Sequence, residues 1–313
     1  MGLRYANLDF TGIALKEGYI GYYLGQTLRG ALGLSLKRLC CHSTNAACDS
    51  CFLQSKCAYS VIFEGVPPAN RSLMRKYPRI PKPFVLCVSI DSKQMFKQGE
   101  DLKFGIRLFG PAVDLYPYII EAVRSMLERG LGRDRIPIRL EEVSGNGVRI
   151  YHHGDKQIQQ FPIRQLRIST SSSATWQDIE IIFITPLRLQ VDGKITRKPH
   201  LNDLMLALVR RLTILTEFYG NPISHENEKR ALIDAATGAE IVQSNLQWYS
   251  LPRFSRRQKR RIPLGGVIGY CRYKWPDASI NPEPWLRAAS ILHVGKATSF
   301  GLGRIDYKLR ASL

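Results

Sequence analysis

The 313-residue sequence has no run approaching the roughly 18 apolar residues a membrane-spanning helix needs. Its first residues, MGLRYANLDFTG, show no charged-then-apolar secretory pattern. A cytoplasmic location is therefore expected, and no membrane partner. In that compartment cysteines stay reduced, so the seven present are expected to be free or to bind metal rather than form disulfides. Acidic residues are also few. There are 26 Asp and Glu against 45 Lys and Arg, and they are scattered. No carboxylate cluster of the kind a metal-dependent nuclease needs is visible, so no catalytic metal is expected. No G-x-x-x-x-G-K-[ST] phosphate loop occurs.

What is present points to a polyanion. The formal net charge is +19 and the pI about 9.8, as expected of a protein that neutralises several phosphates. The densest basic run, residues 253–261, holds Arg253, Arg256, Arg257, Lys259, Arg260 and Arg261. It falls in a turn between two predicted strands. Six like charges in nine residues repel one another unless an anion is bound. Arginine suits RNA because its planar fork pairs with phosphate and stacks on bases.

Hydrophobic periodicity gives the same order of elements twice. In the first half a strand at 3–15, a helix at 19–39, strands at 84–90 and 102–109, a helix at 115–129 and a strand at 136–143 spell βαββαβ. The second half repeats this with a strand at 178–185, a helix at 201–219, strands at 240–251 and 264–274, a helix at 284–293 and a strand at 304–309; a short extra helix is predicted at 228–236. The fold class is therefore α+β, with two tandem ferredoxin-like domains. Their predicted bounds are 1–145 and 178–313, joined by a linker at 146–177, where short strands are expected beside the polar run STSSSATWQD.

Between the first helix and second strand lies a cysteine-rich insertion at 40–57. Counting from Cys41, the pattern is C-x6-C-x2-C-x5-C, through Cys48, Cys51 and Cys57. Four thiolates would close a tetrahedral structural zinc site. An iron–sulfur cluster is the alternative metal, and unliganded thiols on a loop the non-metal reading. Cys40 is the spare, and His42 stands beside the set.

Residues 293–303, HVGKATSFGLG, concentrate Gly295, Gly301 and Gly303 around Lys296, Thr298 and Ser299, all expected to face RNA, with His293 in front either facing RNA as well or bonding the last carbonyls of the helix. Backbone N–H groups in glycine-rich loops can hold phosphate, and lysine adds a point charge. A tight helix-to-strand turn is the plainer reading of the same residues.

That stretch resembles the C-terminal glycine-rich loop of RAMP proteins, the RNA-binding superfamily of CRISPR systems. HLNDLMLALVRRLTILTEFYG (200–220), LQWYSLPRFSRRQKRRIPLGGVIGY (246–270) and HVGKATSFGLGRI (293–305) are similar, in order and spacing, to CRISPR-associated endoribonucleases that cut precursor CRISPR RNA. LRGALGLSLKRL (28–39) and CAYSVIFE (57–64) also look like that family. The resemblance implies tandem ferredoxin-like (RRM/RAMP) domains, an arginine hairpin that grips a repeat stem-loop, and an RNA partner in precursor and mature guide form. It also implies a multi-subunit CRISPR effector complex as a partner.

Cleavage without metal needs only a base at the 2′-hydroxyl, an acid at the leaving 5′-oxygen and a cation for the developing charge. Histidine is the natural proton carrier near neutral pH. The resembling enzymes often carry theirs after the first helix, which selects His42 here, with Tyr22, Arg29 and Lys37 positioning the phosphate. Tyr23 is expected in the core, and His152, His153, His200 and His225 at the surface. The expected products are a 2′,3′-cyclic phosphate and a 5′-hydroxyl. The alternatives are a non-catalytic RNA-binding RAMP subunit of an effector complex and a zinc-stabilised module for ribosomal or transfer RNA.

Overall fold

The computed structural model describes residues 2–42, 47–68, 70–169, 176–222, 226–251, 264–277 and 279–311, and the backbone of 254–255 and 260–261. It divides into two compact units. One comprises Leu3–Gln165 with Phe218–Gly220, the other Leu166–Glu217 with Asn221–Leu313 and the first two residues.

The first unit grows around β1 (Leu3–Ala14). Its period-2 pattern buries Ala6, Leu8, Phe10 and Ala14 and exposes Arg4 and Asp9. Next come α1 (Leu24–Cys40), β2 (Phe84–Cys87), β3 (Asp101–Phe109), α2 (Tyr116–Glu128), β4 (Ile138–Gly145) and β5 (Val148–His152). The antiparallel sheet runs β2-β3-β1-β4-β5, with Leu8 opposite Ile106 on one side and Phe10 opposite Val143 on the other. α1 buries Leu24, Leu28, Leu32 and Leu36, four residues apart, while α2 buries Ile119, Val123, Met126 and Leu127. The two helices pack against each other. Tyr23 is in the core, 4% exposed.

Gly33 opens α1 to an aromatic stack. A Cβ there would collide with the Phe63 ring. Phe63 stacks on Tyr59 at 5.8 Å and on Phe84 at 5.6 Å between centroids. The predicted linker at 146–177 is partly sheet, because β5 pairs with β4 through Glu142 and His152. The hydroxyl-rich residues 170–175 lie outside the described residues.

The second unit contains β6 (Trp176–Leu187), α3 (Leu201–Tyr219), α4 (Glu226–Thr237), β7 (Glu240–Tyr249), β8 (Gly266–Lys274), α5 (Glu283–Leu292) and β9 (Ile305–Ala311). The sheet order is β7-β8-β6-β9. Central β6 buries Ile179, Ile181 and Phe183. Ile181 stands opposite Cys271 on β8 and Tyr307 on β9. In both units the strands of βαββαβ are arranged second, third, first, fourth across the sheet, the ferredoxin-like order. The fold is thus α+β with two tandem ferredoxin-like units. Among the described residues no helix is long and apolar enough to cross a membrane.

Candidate nucleic-acid interface

The glycine-rich stretch begins where α5 stops. His293 leaves the helix at φ 58° and ψ 156°, its N–H still bonded to the Ala289 carbonyl at 2.9 Å. A non-glycine residue in that region is strained, and His293 is held there fully buried, 0% exposed. The backbone then closes on itself and on the end of β6. The Val294 N–H donates to the Gly303 carbonyl at 2.8 Å, Lys296 to Arg188 at 2.9 Å, Gly301 to Thr298 at 2.9 Å and Gly303 to Pro186 at 3.1 Å. The Thr185 hydroxyl donates to the Gly301 carbonyl at 2.8 Å and accepts from the Arg304 N–H at 2.9 Å.

These bonds change the part the stretch can play. The amides of Gly301 and Gly303 are engaged within the protein rather than presented to a phosphate. A Cβ on Gly303 would lie on the Val294 carbonyl oxygen, and one on Gly295 would lie 2.7 Å from the Arg188 carbonyl oxygen. Both positions also have positive φ, 70° and 84°. Glycine is required there by the chain's own backbone, not by an approaching ligand. His293 and Thr298, 0% and 7% exposed, are corrected from RNA-facing to buried residues. Exposed Lys296 and half-buried Ser299 keep access to the surface.

The basic run follows from β7, an edge strand exposed along most of its length. Tyr249 pairs with Gly266, and the Leu264 N–H donates to the Leu251 carbonyl at 2.9 Å. Beyond that point Phe254 pairs with Arg261 and Ser255 with Arg260. The hairpin therefore continues, with Arg260 and Arg261 on its returning arm. Arg253, Arg256, Arg257 and Lys259 lie outside the described residues.

Two residues at the hairpin base were not singled out from sequence. The Arg197 guanidinium lies 4.8 Å from the Trp248 ring centroid, and Trp248 is 36% exposed. They are far apart in the chain, and no local pattern marks the pair. Arg188 joins this base to the glycine-rich stretch. Its guanidinium donates to the Gly265 carbonyl and its own carbonyl accepts from Lys296. Burial lowers its pKa from the usual arginine range.

The N-terminal candidates do not form one cluster. Tyr22 precedes α1 and is 68% exposed, its ring edge-on to Tyr19 at 5.8 Å. His42, exposed, follows the helix at its other end. Seventeen helical residues separate them, a rise of about 25 Å. Tyr22 is therefore corrected from the site that holds His42. Arg29 sits midway, 4.7 Å over the Phe63 ring, and packs on the aromatic stack rather than beside His42. Lys37, in the last turn, is the candidate cation nearest His42 in the chain, with its ammonium 5.8 Å from the Tyr59 ring centroid.

The cysteines gather at that same end of α1. The Cys57 thiol lies 3.9 Å from the Cys40 carbonyl oxygen. Burial, then the nearby Cys57, pushes the Cys40 thiol up to about 11, and burial followed by Glu64 raises Cys48. Cys41, Cys48, Cys51 and Cys57 are all partly exposed and unbridged. As donors four thiols suit zinc. As placed, however, no group of three or more His, Cys, Asp or Glu among the described residues could hold a metal ion.

Two ferredoxin-like units, the second carrying a basic hairpin and a glycine-rich turn, define an α+β protein of the tandem ferredoxin-like class. A family model described as an N-terminal domain (AF_1859_N) matches residues 3–163, and the chain belongs to that family. Residues 181–305 match the model of the CRISPR-associated endoribonuclease Cas6. An uncharacterized protein of Archaeoglobus fulgidus is 22% identical over 289 residues, 90% of each chain. Among solved structures, a Thermus thermophilus Cas6 is 14% identical, covers 98% of this chain and 100% of its own, and superposes with a TM-score of 0.56. A Cas6 product complex is 17% identical, with coverage of 97% and 99% and a TM-score of 0.52. A partial Cas6-RT-Cas1–Cas2 complex covers all of this chain but 48% of its own, at 13% identity and TM-score 0.55. At these identities the structural likeness is one of fold.

Proposed function

We propose that the protein is a metal-independent endoribonuclease that binds and cleaves CRISPR repeat RNA in precursor transcripts, releasing guide RNA with a 2′,3′-cyclic phosphate and leaving a 5′-hydroxyl. The observation that carries this reading is the match of residues 181–305, hairpin and glycine-rich turn included, to the Cas6 endoribonuclease model. The net charge of +19 supports a polyanionic substrate, and structures similar in fold are described as product and substrate-mimic complexes. The hairpin arginines would hold the repeat and Lys296 would meet one further phosphate. His42 would move the proton, with Lys37 supplying positive charge from the last turn of α1.

Cleavage by this route needs no ion in the reaction, since the substrate's own 2′-oxygen attacks the adjacent phosphorus and expels the 5′-oxygen. The cysteine spacing would suit a structural zinc with no part in the chemistry, although the four thiols as placed form no metal site among the described residues. Purified protein incubated with repeat RNA in EDTA tests the reading. A single cut, with a product 3′ end resistant to polyadenylation until the cyclic phosphate is removed, is the expected result. Tight binding without a cut would instead make the chain a non-catalytic RAMP subunit.

A further inference from the structure

We propose that Trp248 and Arg197 form a stacking platform for one unpaired nucleobase of the bound RNA. The inference rests on the RNA-binding reading above and adds a base to the phosphates already placed on the protein.

Three features of the pair support it. The first is exposure. Of the four tryptophans, Trp275 and Trp285 are 4% and 1% exposed, whereas Trp248 keeps 36% of its surface in water on an edge strand. The exposed part of the indole adds nothing to the core, and a cation over an exposed ring is worth only about 0.5–1 kcal/mol to the fold. The second is geometry. The guanidinium lies over the ring at 4.8 Å, and Arg197 is itself exposed with no acidic partner among the described residues. An indole with a guanidinium on its face extends as a ladder. The outer face of the guanidinium, or the uncovered part of the indole, accepts a base by the same stacking that single-stranded RNA readers use.

The third feature is placement. Trp248 lies on β7 five positions before Arg253, the first residue of the basic run, and opposite Val267 on β8. Its indole rests against Gly265, where a Cβ would come 3.1 Å from Nε1. The carbonyl of that same Gly265 accepts from Arg188, whose carbonyl accepts from Lys296. The platform is thus held in one hydrogen-bonded frame with the basic hairpin and the exposed lysine of the glycine-rich turn. An RNA strand bound along this frame would bring one of its bases to the indole. Stacking does not read base identity, so the ligand is an unpaired nucleotide of any sequence flanking a paired segment.

The test uses the full chain, two probes and three variants. The probes are a repeat RNA with single-stranded flanks and an oligouridylate. For wild type, RNA should quench indole emission, and Trp248→Phe should lose most of that quenching while keeping most affinity. Trp248→Ala should weaken binding about 5- to 150-fold, the worth of one stacked base, with an unchanged slope of log affinity against log salt. Arg197→Ala should weaken binding and also flatten the slope by up to about 0.7. Thermal midpoints within a few degrees of wild type show that the fold is intact. Trp248→Ala binding within twofold of wild type on both probes would overturn the platform and leave the endoribonuclease reading standing. Quenching and Trp248-dependent binding of oligouridylate, with no preference for repeat RNA, would do the reverse. If wild type bound neither probe, both would fall.

Discussion

The Lys296 amide donates to the Arg188 carbonyl oxygen across 2.9 Å, fastening the glycine-rich turn to the end of β6. Backbone there holds backbone, and the side chains divide into those that face inward and one cation that faces water. Gly303→Val should therefore unfold or strongly destabilise the protein. A positive φ of 70° and a Cβ on the Val294 oxygen act together, for a loss of about 3 kcal/mol or more. Lys296→Ala should melt like wild type and bind repeat RNA several-fold more weakly. Circular dichroism melts beside a binding titration separate the two. A Gly303→Val protein that folds normally but loses RNA would return the glycine to the ligand.

Helix α1 offers a contrast between two glycines one turn apart. A Cβ at Gly30 meets nothing within 4 Å, whereas one at Gly33 collides with the Phe63 ring. Gly30→Ala should stabilise the chain by about 0.5–1 kcal/mol, because alanine loses less backbone entropy in a helix. Gly33→Ala should destabilise it by about 1–3 kcal/mol through overpacking. Denaturant midpoints read both, and equal shifts of either sign would contradict the packing of Phe63 on the helix.

Much of the fold was legible in the residues. The four-residue spacing of Leu24, Leu28, Leu32 and Leu36 and the alternation of Ala6, Leu8 and Phe10 fix which faces go inward. Short strands were expected within 144–177, but β5 had no legible bounds because Val148–His152 is short and exposed at most positions, so its hydrophobic pattern is weak. Only its pairing with β4 makes it a strand. The site was less legible, for a different reason. The glycines announce a turn, but the partners of its backbone lie on β6, with Thr185 and Gly301 separated by 116 positions. Whether an amide is free for phosphate depends on such distant groups. Likewise Tyr22 and His42 sit near the same helix in sequence, and only the helix's length shows that they flank it at opposite ends.

Changing Arg256, Arg257, Arg260 and Arg261 together to Ala should weaken RNA binding and flatten its salt dependence. Every phosphate that is no longer neutralised lowers the slope by about 0.7–0.9. An unchanged slope would make the run a bystander.

The spacing of Cys41, Cys48, Cys51 and Cys57 suits about one zinc per chain, whereas their placement forms no metal site among the described residues, and elemental analysis of untagged protein decides between the two. If zinc is found, removing it should destabilise the unit built on β1 and leave the unit built on β6 folded. Neither zinc nor iron would establish the free thiols that the structure describes.

His42→Ala should slow single-turnover cleavage of repeat RNA by about 100-fold or more with binding nearly unchanged. Full activity in that variant would move the proton carrier elsewhere. Zinc released along with the imidazole would make His42 a ligand.

Attack by the substrate's own 2′-oxygen is tested by one substitution in the RNA, without touching the protein. Wild-type protein in EDTA is given repeat RNA and the same RNA with a single 2′-deoxy nucleotide immediately 5′ of the scissile phosphate. Both strands should bind alike, and only the all-ribose strand should be cut. Cleavage of the 2′-deoxy strand at a comparable rate would contradict attack by the 2′-oxygen.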